Sequence, residues 1–229
     1  KELAPKAIRW LNGEYPYENL KQLAQMGILG MSVPEAYGGS SATVLDAVLS
    51  MEEIGKSCYV TALAALGEIG VQTRIISEYA PEPLKKKWLP KIASGEFILA
   101  ILLTEPDAGT DVPNYRTNTE IRGAKAIVNG QKTLISRADI ADLMIVFTRV
   151  NGAPGAAGIG CVIVEKGLKG YSAEGKYQTM GGEHLCEVVF DNVEVPAENV
   201  ILRDNGMKKL LSAFNMQRCL NASICLGMA

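Results

Sequence analysis

The stretch from Ala100 to Val112 reads AILLTEPDAGTDV and sets the expectations for the whole chain. It continues an apolar run that starts at Ile98, and a bounded run of this length is typical of a buried β-strand. Pro106 cannot donate to a sheet, and Gly109 lets the backbone approach a ligand closely. The sequence therefore predicts a strand that ends in a polar loop suited to an anion or to the polar edge of a ring. Taken alone, the pattern fits a strand-end turn without a ligand equally well.

Four segments in order resemble the acyl-CoA dehydrogenase family. The loop just described resembles the family's flavin-binding signature, T-E-P-x-A-G-[ST]-D. The other segments are MGILGMSVPEAYGGS (Met26–Ser40), VNGQKTLIS (Val128–Ser136) and GGEHLCEVVFDNVEVPAENVI (Gly181–Ile201). They are similar to the family's G-[IL]-x-G-x-x-x-P-E-x-Y-G-G turn, to its hairpin with a W-I-[ST] flavin contact, and to its F-x-[DN]-V-x-V-P segment. Because the four occur across most of the chain, the resemblance is specific.

The spacing of apolar residues divides the chain into three parts. Residues 1–96 show helical spacing and predict an N-terminal all-α domain. Residues 97–203 show strand-like alternation and predict a middle antiparallel β-barrel domain, which the resemblance makes the flavin and acyl-CoA binding domain. Within that domain, Asn129-Gly130 is a signal for a β-hairpin turn. Helical spacing returns over residues 204–229, which the resemblance makes the first helix of a C-terminal helical domain that is truncated here.

One helical segment stands out for its composition. Val60–Ile76 consists almost wholly of apolar or small residues. A helix that is apolar on most sides is buried or lies at a subunit contact. We therefore expect this segment to be enclosed by other parts of the protein or by a second subunit.

Bulk composition argues against several functions. The chain has 229 residues, of which 48% are hydrophobic and 21% charged, a globular composition, and its net charge of −2 does not favour nucleic acid or an anionic membrane as a partner. Its apolar runs are too short for a membrane span. Five cysteines without a C-x-x-C pair predict neither a disulfide framework nor a zinc site, and the single histidine, His184, cannot form a metal cluster.

The N-terminus and the cysteine content bear on location. The first residue is a lysine and no secretion signal is visible, so we expect a trimmed N-terminus. The cysteine pattern favours a reducing compartment. The expected location is cytoplasmic, or the mitochondrial matrix if the source is eukaryotic.

The resemblance implies an FAD-dependent enzyme that dehydrogenates an acyl-CoA thioester between its α and β carbons. In the family a base removes the α-proton while the β-hydrogen passes as hydride to flavin N5. Backbone groups of Leu103 and Thr104, with the Thr104 hydroxyl, would face the pyrimidine edge, and the Ser136 hydroxyl would lie near N5. The implied cofactor-binding residues are Ile101, Leu103, Thr104, Thr110, Leu134, Ile135 and Ser136.

Two of these residues depart from the family pattern. Thr110 stands where the family usually has serine, at a position that contacts the flavin phosphate or the CoA arm, and either hydroxyl can donate. Leu134 stands where the family usually has tryptophan, and it loses a flat π-face worth ~0.5–1.5 kcal/mol. We expect flavin to be retained with altered electronics or acceptor access. Leu134 and Ser136 could also be ordinary strand residues.

The implied substrate-binding residues are Thr110, Asn215 and Arg218. Phe214–Arg218 matches a family segment that reaches the acyl-CoA, and Arg218 on an apolar helix is expected to meet a carboxylate, phosphate or carbonyl, unless it extends into solvent. His184 lies where many members have an arginine or a small residue beside the thioester. It would either tune the choice of substrate or be an exposed loop histidine.

The sequence offers no catalytic residue. Most family members carry the base late in the C-terminal domain, and one branch carries it at the position of Gln217, whose amide cannot accept a proton at neutral pH. Glu105 and Asp111 are expected to tie the signature loop through backbone N–H groups. The sequence therefore predicts that this chain is inactive by itself.

Three functions remain open. The first is an acyl-CoA dehydrogenase of fatty acid metabolism that passes electrons to an electron-transfer flavoprotein and forms a homotetramer, a dimer of dimers. The second is a related enzyme, such as a carrier-protein acyl dehydrogenase, an oxidase or a desulfinase. The third is a non-catalytic partner subunit. Oxygen reactivity separates the first two, and a bound yellow cofactor separates both from the third.

Overall fold

Helices and strands occupy separate parts of the sequence. The computed structural model describes residues 2–229. In that range the helices before the sheet are α1 (Ala7–Leu11), α2 (Tyr17–Gln25), α3 (Val44–Ser57), α4 (Tyr59–Ile69), α5 (Val71–Tyr79) and α6 (Glu82–Ala93). The strands are β1 (Leu99–Leu102), β2 (Asn118–Arg122), β3 (Lys125–Ser136), β4 (Leu143–Val150), β5 (Ile159–Glu165), β6 (Tyr171–Gln178), β7 (His184–Pro196) and β8 (Val200–Leu202), and helix α7 (Gly206–Met228) follows.

This order confirms the predicted class: a helical N-terminal part, a middle sheet and a C-terminal helix. The sheet differs in detail from the predicted antiparallel barrel. Its strands follow the order β6-β7-β3-β2-β4-β5-β8, with β1 beside β4, so it is not closed on itself. Two pairs, β1 with β4 and β2 with β4, are parallel. The sheet is therefore mixed and open.

The parallel pairs explain how the signature loop leaves the sheet. Strand β1 pairs with β4 over Leu143–Val146, and β2 pairs with the same strand at Arg149 and Val150. The two strands thus occupy neighbouring stretches of β4, and the polar loop that joins them leaves the sheet in the gap. This topology places Thr104 at the sheet's surface rather than inside it.

The apolar segment Val60–Ile76 forms two helices, so the expectation of one continuous helix is wrong. Helix α4 ends at Ile69, α5 begins at Val71, and Gly70 lies between them. The side chain of Gln217 on α7 accepts a hydrogen bond of 2.9 Å from the N–H of Val71. A methyl group on Gly70 would lie 2.6 Å from that same Gln217 oxygen. Glycine at position 70 therefore leaves space for the Gln217 side chain of α7, which caps the first turn of α5. Burial of the segment is confirmed, since most of α4 and α5 is enclosed.

The predicted hairpin turn at Asn129-Gly130 is also wrong. Both residues lie inside the continuous strand β3, and the turn between β2 and β3 falls at Gly123 and Ala124. The register of β3 against β7 shifts between Val128 and Gly130, which marks a bulge. A methyl group on Gly130 would lie 2.6 Å from Cα of Thr117. Close backbone approach, rather than a turn, therefore accounts for this glycine.

We predict that Gly130→Ala lowers the free energy of unfolding by about 1–3 kcal/mol or more, because φ there is +139° and the new methyl group meets backbone. The control is Gly152→Ala, which also has a positive φ, of +68°, but has open space around it. Its cost should be limited to about 1–2 kcal/mol. Urea unfolding measures both variants, and equal costs would contradict the role of close approach.

A shared hydrophobic core joins the helices to the sheet. Buried residues of α5, α6 and α7, including Ile75, Trp88 and Leu210, pack with Leu99 of β1 and Phe147 of β4. Strand β1 is consequently fixed by its pairing with β4 and by the helical layer packed on it, and its end can present a rigid edge. Across residues 2–229, no helix is long and apolar enough to cross a membrane.

Candidate functional site

A cleft of about 250 Å³ opens where strand β1 ends. Its walls come from the end of β1, the end of β3, helices α4 and α5, helix α7 and the turn before β7. The lining residues are Leu63, Leu66, Gly67, Gln72, Ala100, Ile101, Leu103, Thr104, Leu134, Ile135, Ser136, Arg137, Glu183 and Gln217. All three predicted parts of the chain therefore contribute to one site.

Most of the predicted cofactor residues meet in this cleft. Those that line it are Ile101, Leu103, Thr104, Leu134, Ile135 and Ser136. The predicted residues Thr110, Asn215 and Arg218 lie outside the lining and are exposed. Arg218 donates to the side-chain oxygen of Asn215 at 3.1 Å on its own helix. Its partner within residues 2–229 is thus an amide carbonyl and not a charged group.

Several polar groups in the cleft are left without a protein partner. Within residues 2–229, the hydroxyls of Thr104 and Ser136 make no hydrogen bond to the protein. The side-chain oxygen of Gln72 is buried and also has no partner. Buried polar groups are almost always satisfied, so an orphan at the wall of a cleft indicates that a ligand completes it. Sequence reasoning missed Gln72, which looked like an interior position of an apolar helix.

Beneath the signature loop lies a buried ion pair. The ammonium group of Lys132 donates to the Leu103 carbonyl at 2.7 Å and to Glu105 at 2.9 Å, and it lies 3.9 Å from the centre of the Tyr115 ring. Glu105 also accepts the N–H of Arg116 at 2.7 Å. The expectation that Glu105 ties the loop through backbone N–H groups therefore agrees with its contacts.

Burial works against both charges of this pair, and the two partners stabilise each other. Burial lowers the pKa of Lys132 to about 8, although Glu105 favours the charged form. Burial works against the charge of Glu105 as well, but Lys132 and the N–H of Arg116 hold its pKa below the ordinary value. The pair occupies the Leu103 carbonyl, and the N–H of Thr133 donates to the Thr104 carbonyl at 2.9 Å. Each of these two carbonyls already accepts a hydrogen bond from the protein, whereas the Thr104 hydroxyl makes none and is available to a ligand.

The second loop carboxylate, Asp111, behaves differently from the expectation. It accepts a hydrogen bond from the side-chain amide of Asn114 and not from a backbone N–H. The backbone carbonyl of Asp111 accepts the N–H of Asn114 at 3.0 Å. Asp111 thus stabilises the short turn that follows the signature and lies outside the cleft lining.

Leu134 occupies a strained point on the cleft wall. Its φ is +57°, and the register of β3 against β7 shifts between Lys132 and Ile135. Non-glycine residues with left-handed backbone are uncommon and cluster at functional sites. The side chain is 51% exposed, so the residue that replaces the family's tryptophan is presented to the cleft instead of the core.

Arg137 is a site residue that the sequence did not reveal. Its guanidinium is only 9% exposed and donates to the carbonyls of Leu63 at 3.1 Å and Ala64 at 3.0 Å, and to the Tyr15 hydroxyl at 3.3 Å. A methyl group on Gly67 would collide with the guanidinium, so glycine there makes its burial possible. The only sequence signal is a charged residue directly after the W-I-[ST]-like motif.

Glu68 lies 3.6 Å from the Arg137 guanidinium and accepts the N–H of Leu99 at 3.2 Å. Burial raises the pKa of Glu68 to about 8, although Arg137 opposes the rise. Burial disfavours the charge of Arg137, but Tyr15, Glu68 and Glu183 together hold its pKa above the ordinary value. The wall between α4 and β3 therefore carries a permanent positive charge beside a readily protonated acid.

A second cavity of about 260 Å³ adjoins the cleft and shares Leu63, Arg137 and Glu183 with it. The loop at residues 13–17, Asp139 and His184 form its other walls. His184 is exposed, as expected, although it begins strand β7 and is not in a loop. Glu183 contributes a carboxylate to both spaces and was not singled out from the sequence. Among residues 2–229, no group of three or more metal-ligating side chains comes together.

The fold and the cleft define a protein in which a cleft with polar and apolar walls lies between a helical layer and a mixed sheet. Comparison with protein families makes the assignment specific. The model of the acyl-CoA dehydrogenase N-terminal domain matches residues 1–96, and that of the acyl-CoA dehydrogenase middle domain matches residues 100–193. The chain belongs to the acyl-CoA dehydrogenase family.

Individual relatives agree with this assignment. The mitochondrial isovaleryl-CoA dehydrogenase of Pongo abelii is 35% identical over 237 aligned residues, and an acyl-CoA dehydrogenase of Bacillus subtilis is 33% identical over 233. Both alignments cover 100% of this chain but only 56% and 62% of those relatives, so the chain spans little more than half of their length.

Solved structures show the same fold. A chain in a structure of the electron transferring flavoprotein of Acidaminococcus fermentans superposes with a TM-score of 0.91 at 29% identity, covering 99% of this chain and 61% of that one. An acyl-CoA dehydrogenase of Bacillus anthracis complexed with FAD gives 0.89 at 25% identity, covering 99% of this chain and 39% of that one.

Proposed function

We propose that this chain is the FAD- and thioester-binding part of an enzyme that dehydrogenates acyl-CoA between the α and β carbons. The observation that carries the proposal is the group of unpartnered polar atoms, from Thr104, Ser136 and Gln72, that converge on one cleft. The FAD-bound relative with the same fold supports it. FAD, when bound, supplies the acceptor for the β-hydride.

The residues of the cleft suit an isoalloxazine ring. The hydroxyls of Thr104 and Ser136 can donate to the ring's polar edge, where negative charge develops on reduction. Ile101 and Leu134 supply apolar surface for its faces, and Leu63 adds apolar surface on the wall shared with the adjoining cavity. We assign the whole predicted set of cofactor residues to FAD: Ile101, Leu103, Thr104, Thr110, Leu134, Ile135 and Ser136.

Thr110, Asn215 and Arg218 are proposed to contact the CoA arm. All three are exposed and lie outside the cleft, as residues for a long ligand arm must. Arg218 uses one donor on Asn215 at 3.1 Å, and an arginine has five N–H donors, so most remain for a phosphate or carbonyl. We further propose that the chain consists of three parts, at residues 1–96, 97–203 and 204–229.

The partners and location are proposed from the same resemblance. Electrons would leave through an electron-transfer flavoprotein, and the subunits would form a homotetramer built as a dimer of dimers. The role would lie in fatty acid metabolism, in the cytoplasm or in the mitochondrial matrix of a eukaryote. The named location of the Pongo abelii relative supports the second option.

Flavin content provides the direct test. The chain is purified, and its flavin absorbance is compared before and after dialysis against excess FAD. Binding of one FAD per chain supports the proposal, whereas a chain that excludes FAD under these conditions refutes it. Mixing the reduced protein with oxygen then distinguishes a dehydrogenase from an oxidase.

We predict that Thr104→Val and Ser136→Ala each weaken FAD binding by about tenfold, the loss expected for one hydrogen bond of about 1 kcal/mol or slightly more. Fluorescence titration of the flavin measures both dissociation constants. Thr133→Val is the control, since the N–H of Thr133 donates to the Thr104 carbonyl while Thr133 itself lies outside the cleft lining. An equal loss in the control would contradict the assignment of the two hydroxyls.

A further inference from the structure

The helix side of the cleft carries two amide side chains, Gln72 of α5 and Gln217 of α7. We propose that these amides bind a hydroxyl that the acyl group carries beyond its β carbon. The inference rests on the proposed function, since it assumes that the thioester enters the cleft beside FAD. The motifs and the family assignment leave this class of acyl group open.

Gln72 is a buried polar residue without a protein partner. The residue is 5% exposed, and its amide oxygen makes no hydrogen bond in the described part of the chain. The amide N–H groups of Gln72 make none there either. A buried amide without a partner costs free energy, and such groups are rare in folded proteins. Its position on the cleft wall therefore indicates that a ligand supplies the partner.

Gln217 places a second amide beside Gln72. Its oxygen accepts the N–H of Val71, the residue before Gln72, at 2.9 Å. Gly70 leaves space for that oxygen, because a methyl group there would lie 2.6 Å from it. The amide N–H groups of Gln217 make no hydrogen bond to the chain over residues 2–229. The helix wall thus offers fixed donors, from Gln217, next to a free acceptor, from Gln72.

The helix wall is the side on which the acyl group must lie. Thr104, Leu134 and Ser136 belong to the sheet side of the cleft and are proposed to hold the ring there. Hydride transfer to N5 needs the β carbon of the acyl group close above a face of the ring. The acyl group therefore lies over the face that the sheet leaves open, where α4, α5 and α7 line the cleft.

A hydroxyl is the group that matches the two amides. Its O–H can donate to the Gln72 oxygen, and its oxygen can accept an N–H of Gln217. The side chains of Leu63 and Leu66 on the same wall are apolar and suit the hydrocarbon part of an acyl chain. A saturated chain would leave both amides against hydrocarbon, at a cost in affinity. The hydroxyl must lie beyond the β carbon, because the α and β carbons react.

A carboxylate fits this wall less well. It has no proton to donate to the Gln72 oxygen. The carboxylate of Glu183 lines the same cleft and would repel a second negative charge. Arg137, the cation of the lining, already donates to the carbonyls of Leu63 and Ala64. The wall therefore favours a neutral hydroxyl over an acid.

Matched acyl chains test the proposal through binding, so turnover is not needed. The chain loaded with FAD is titrated without oxygen with pentanoyl-CoA, 4-hydroxypentanoyl-CoA, 5-hydroxypentanoyl-CoA and glutaryl-CoA, and calorimetry gives each dissociation constant. We expect one of the hydroxypentanoyl thioesters to bind about tenfold more tightly than pentanoyl-CoA, or better, because a hydrogen bond then forms to an amide that otherwise stays unpaired. Glutaryl-CoA should bind less tightly than that thioester.

Gln72→Met separates recognition from a structural role. Methionine keeps the length of the side chain without an amide, so the advantage of the hydroxypentanoyl thioester over pentanoyl-CoA should disappear. Because Gln72 has no protein partner, the urea unfolding midpoint of the variant without ligand should equal or exceed that of the parent chain. A structural role for the amide would lower it. Gln25→Met, an exposed change on α2, should leave the selectivity unaltered.

Equal affinities of the parent chain for pentanoyl-CoA and both hydroxypentanoyl thioesters overturn the proposal, as does tightest binding of glutaryl-CoA. An advantage that persists in Gln72→Met also overturns it, because another group then binds the hydroxyl. The same holds for a parent chain that binds FAD but none of the four thioesters. A chain that does not bind FAD refutes the proposed function itself.

Discussion

Replacing Lys132 by methionine should lower the free energy of unfolding by about 3–5 kcal/mol, the range expected when a buried ion pair loses one partner. The ammonium group is fully buried and lies 2.9 Å from Glu105, which is itself 5% exposed. Methionine has a similar length but leaves the carboxylate without its cation. It also leaves the Leu103 carbonyl, which accepts from Lys132 at 2.7 Å, without a donor. Urea unfolding with linear extrapolation measures the difference.

A matched control lies on the same strand. Lys125 forms a salt bridge of 2.6 Å with Glu194, but its side chain is 67% exposed. Lys125→Met should therefore cost no more than about 1 kcal/mol. The double variant Glu105→Gln with Lys132→Met should be more stable than Lys132→Met alone, because no unpaired charge remains buried. A cost below about 1 kcal/mol for Lys132→Met would contradict the importance of the pair.

The same pair explains how the signature loop keeps its shape. Glu105 accepts the N–H groups of Arg116 and Thr117, which begin the return toward β2. Lys132 joins this carboxylate to the Leu103 carbonyl on the other side of the loop. The ends of the loop are thus fixed through one buried charge pair, and loosening it should displace the Thr104 hydroxyl. Lys132→Met should for this reason weaken FAD binding as well.

The sequence predicted the layers of this fold because they depend on local patterns. Helical spacing over residues 1–96 and the apolar run that ends at Leu103 follow from the alternation of polar and apolar residues, which a single sequence displays. The sheet's connections do not follow in this way. The parallel pairing of β1 with β4 joins residues more than 40 positions apart, and no local signal specifies such a partner.

The wrong predictions share a cause. Asn129-Gly130 has the composition of a turn, but Gly130 is required by the close approach of Thr117 from another strand. Gly70 interrupts an apolar segment because Gln217, far along the chain, caps α5 there. In both cases a tertiary contact determines the role of the glycine, so its neighbours in sequence carry no trace of it.

The candidate site could be predicted only in part for the same reason. Thr104 and Ser136 were found through motifs in the chain. Gln72, Arg137 and Glu183 belong to the site because helices α4 and α5 and the turn before β7 pack against the ends of β1 and β3. Each of them is unremarkable in its own segment, and only the assembled wall gives it a function.

Glu68, which is buried behind the cleft wall, should make the free energy of unfolding decrease as pH rises. Burial raises the pKa of Glu68 from 4.5 to about 8, with Arg137 opposing the rise. Between these values the folded chain binds more protons at this site than the unfolded chain does, so the free energy of unfolding falls as pH rises. The stabilising contribution is complete below the unfolded pKa and is lost as pH rises through the folded pKa. Across the whole window it amounts to at most about 5 kcal/mol.

Glu68→Gln isolates this contribution, because glutamine can keep the hydrogen bond from Leu99 while it cannot ionise. The variant should be within about 1 kcal/mol of the parent chain near pH 5 and become more stable than it by several kcal/mol near pH 8, or about 3 kcal/mol at neutral pH. Urea unfolding of both proteins across this range gives the difference, in which the titration of all other groups cancels. Glu53→Gln on α3, an exposed position, should show no such trend. If the difference between Glu68→Gln and the parent chain stays constant with pH, then Glu68 is ionised throughout, and the wall beside the cleft carries a permanent ion pair with Arg137 instead of a single positive charge.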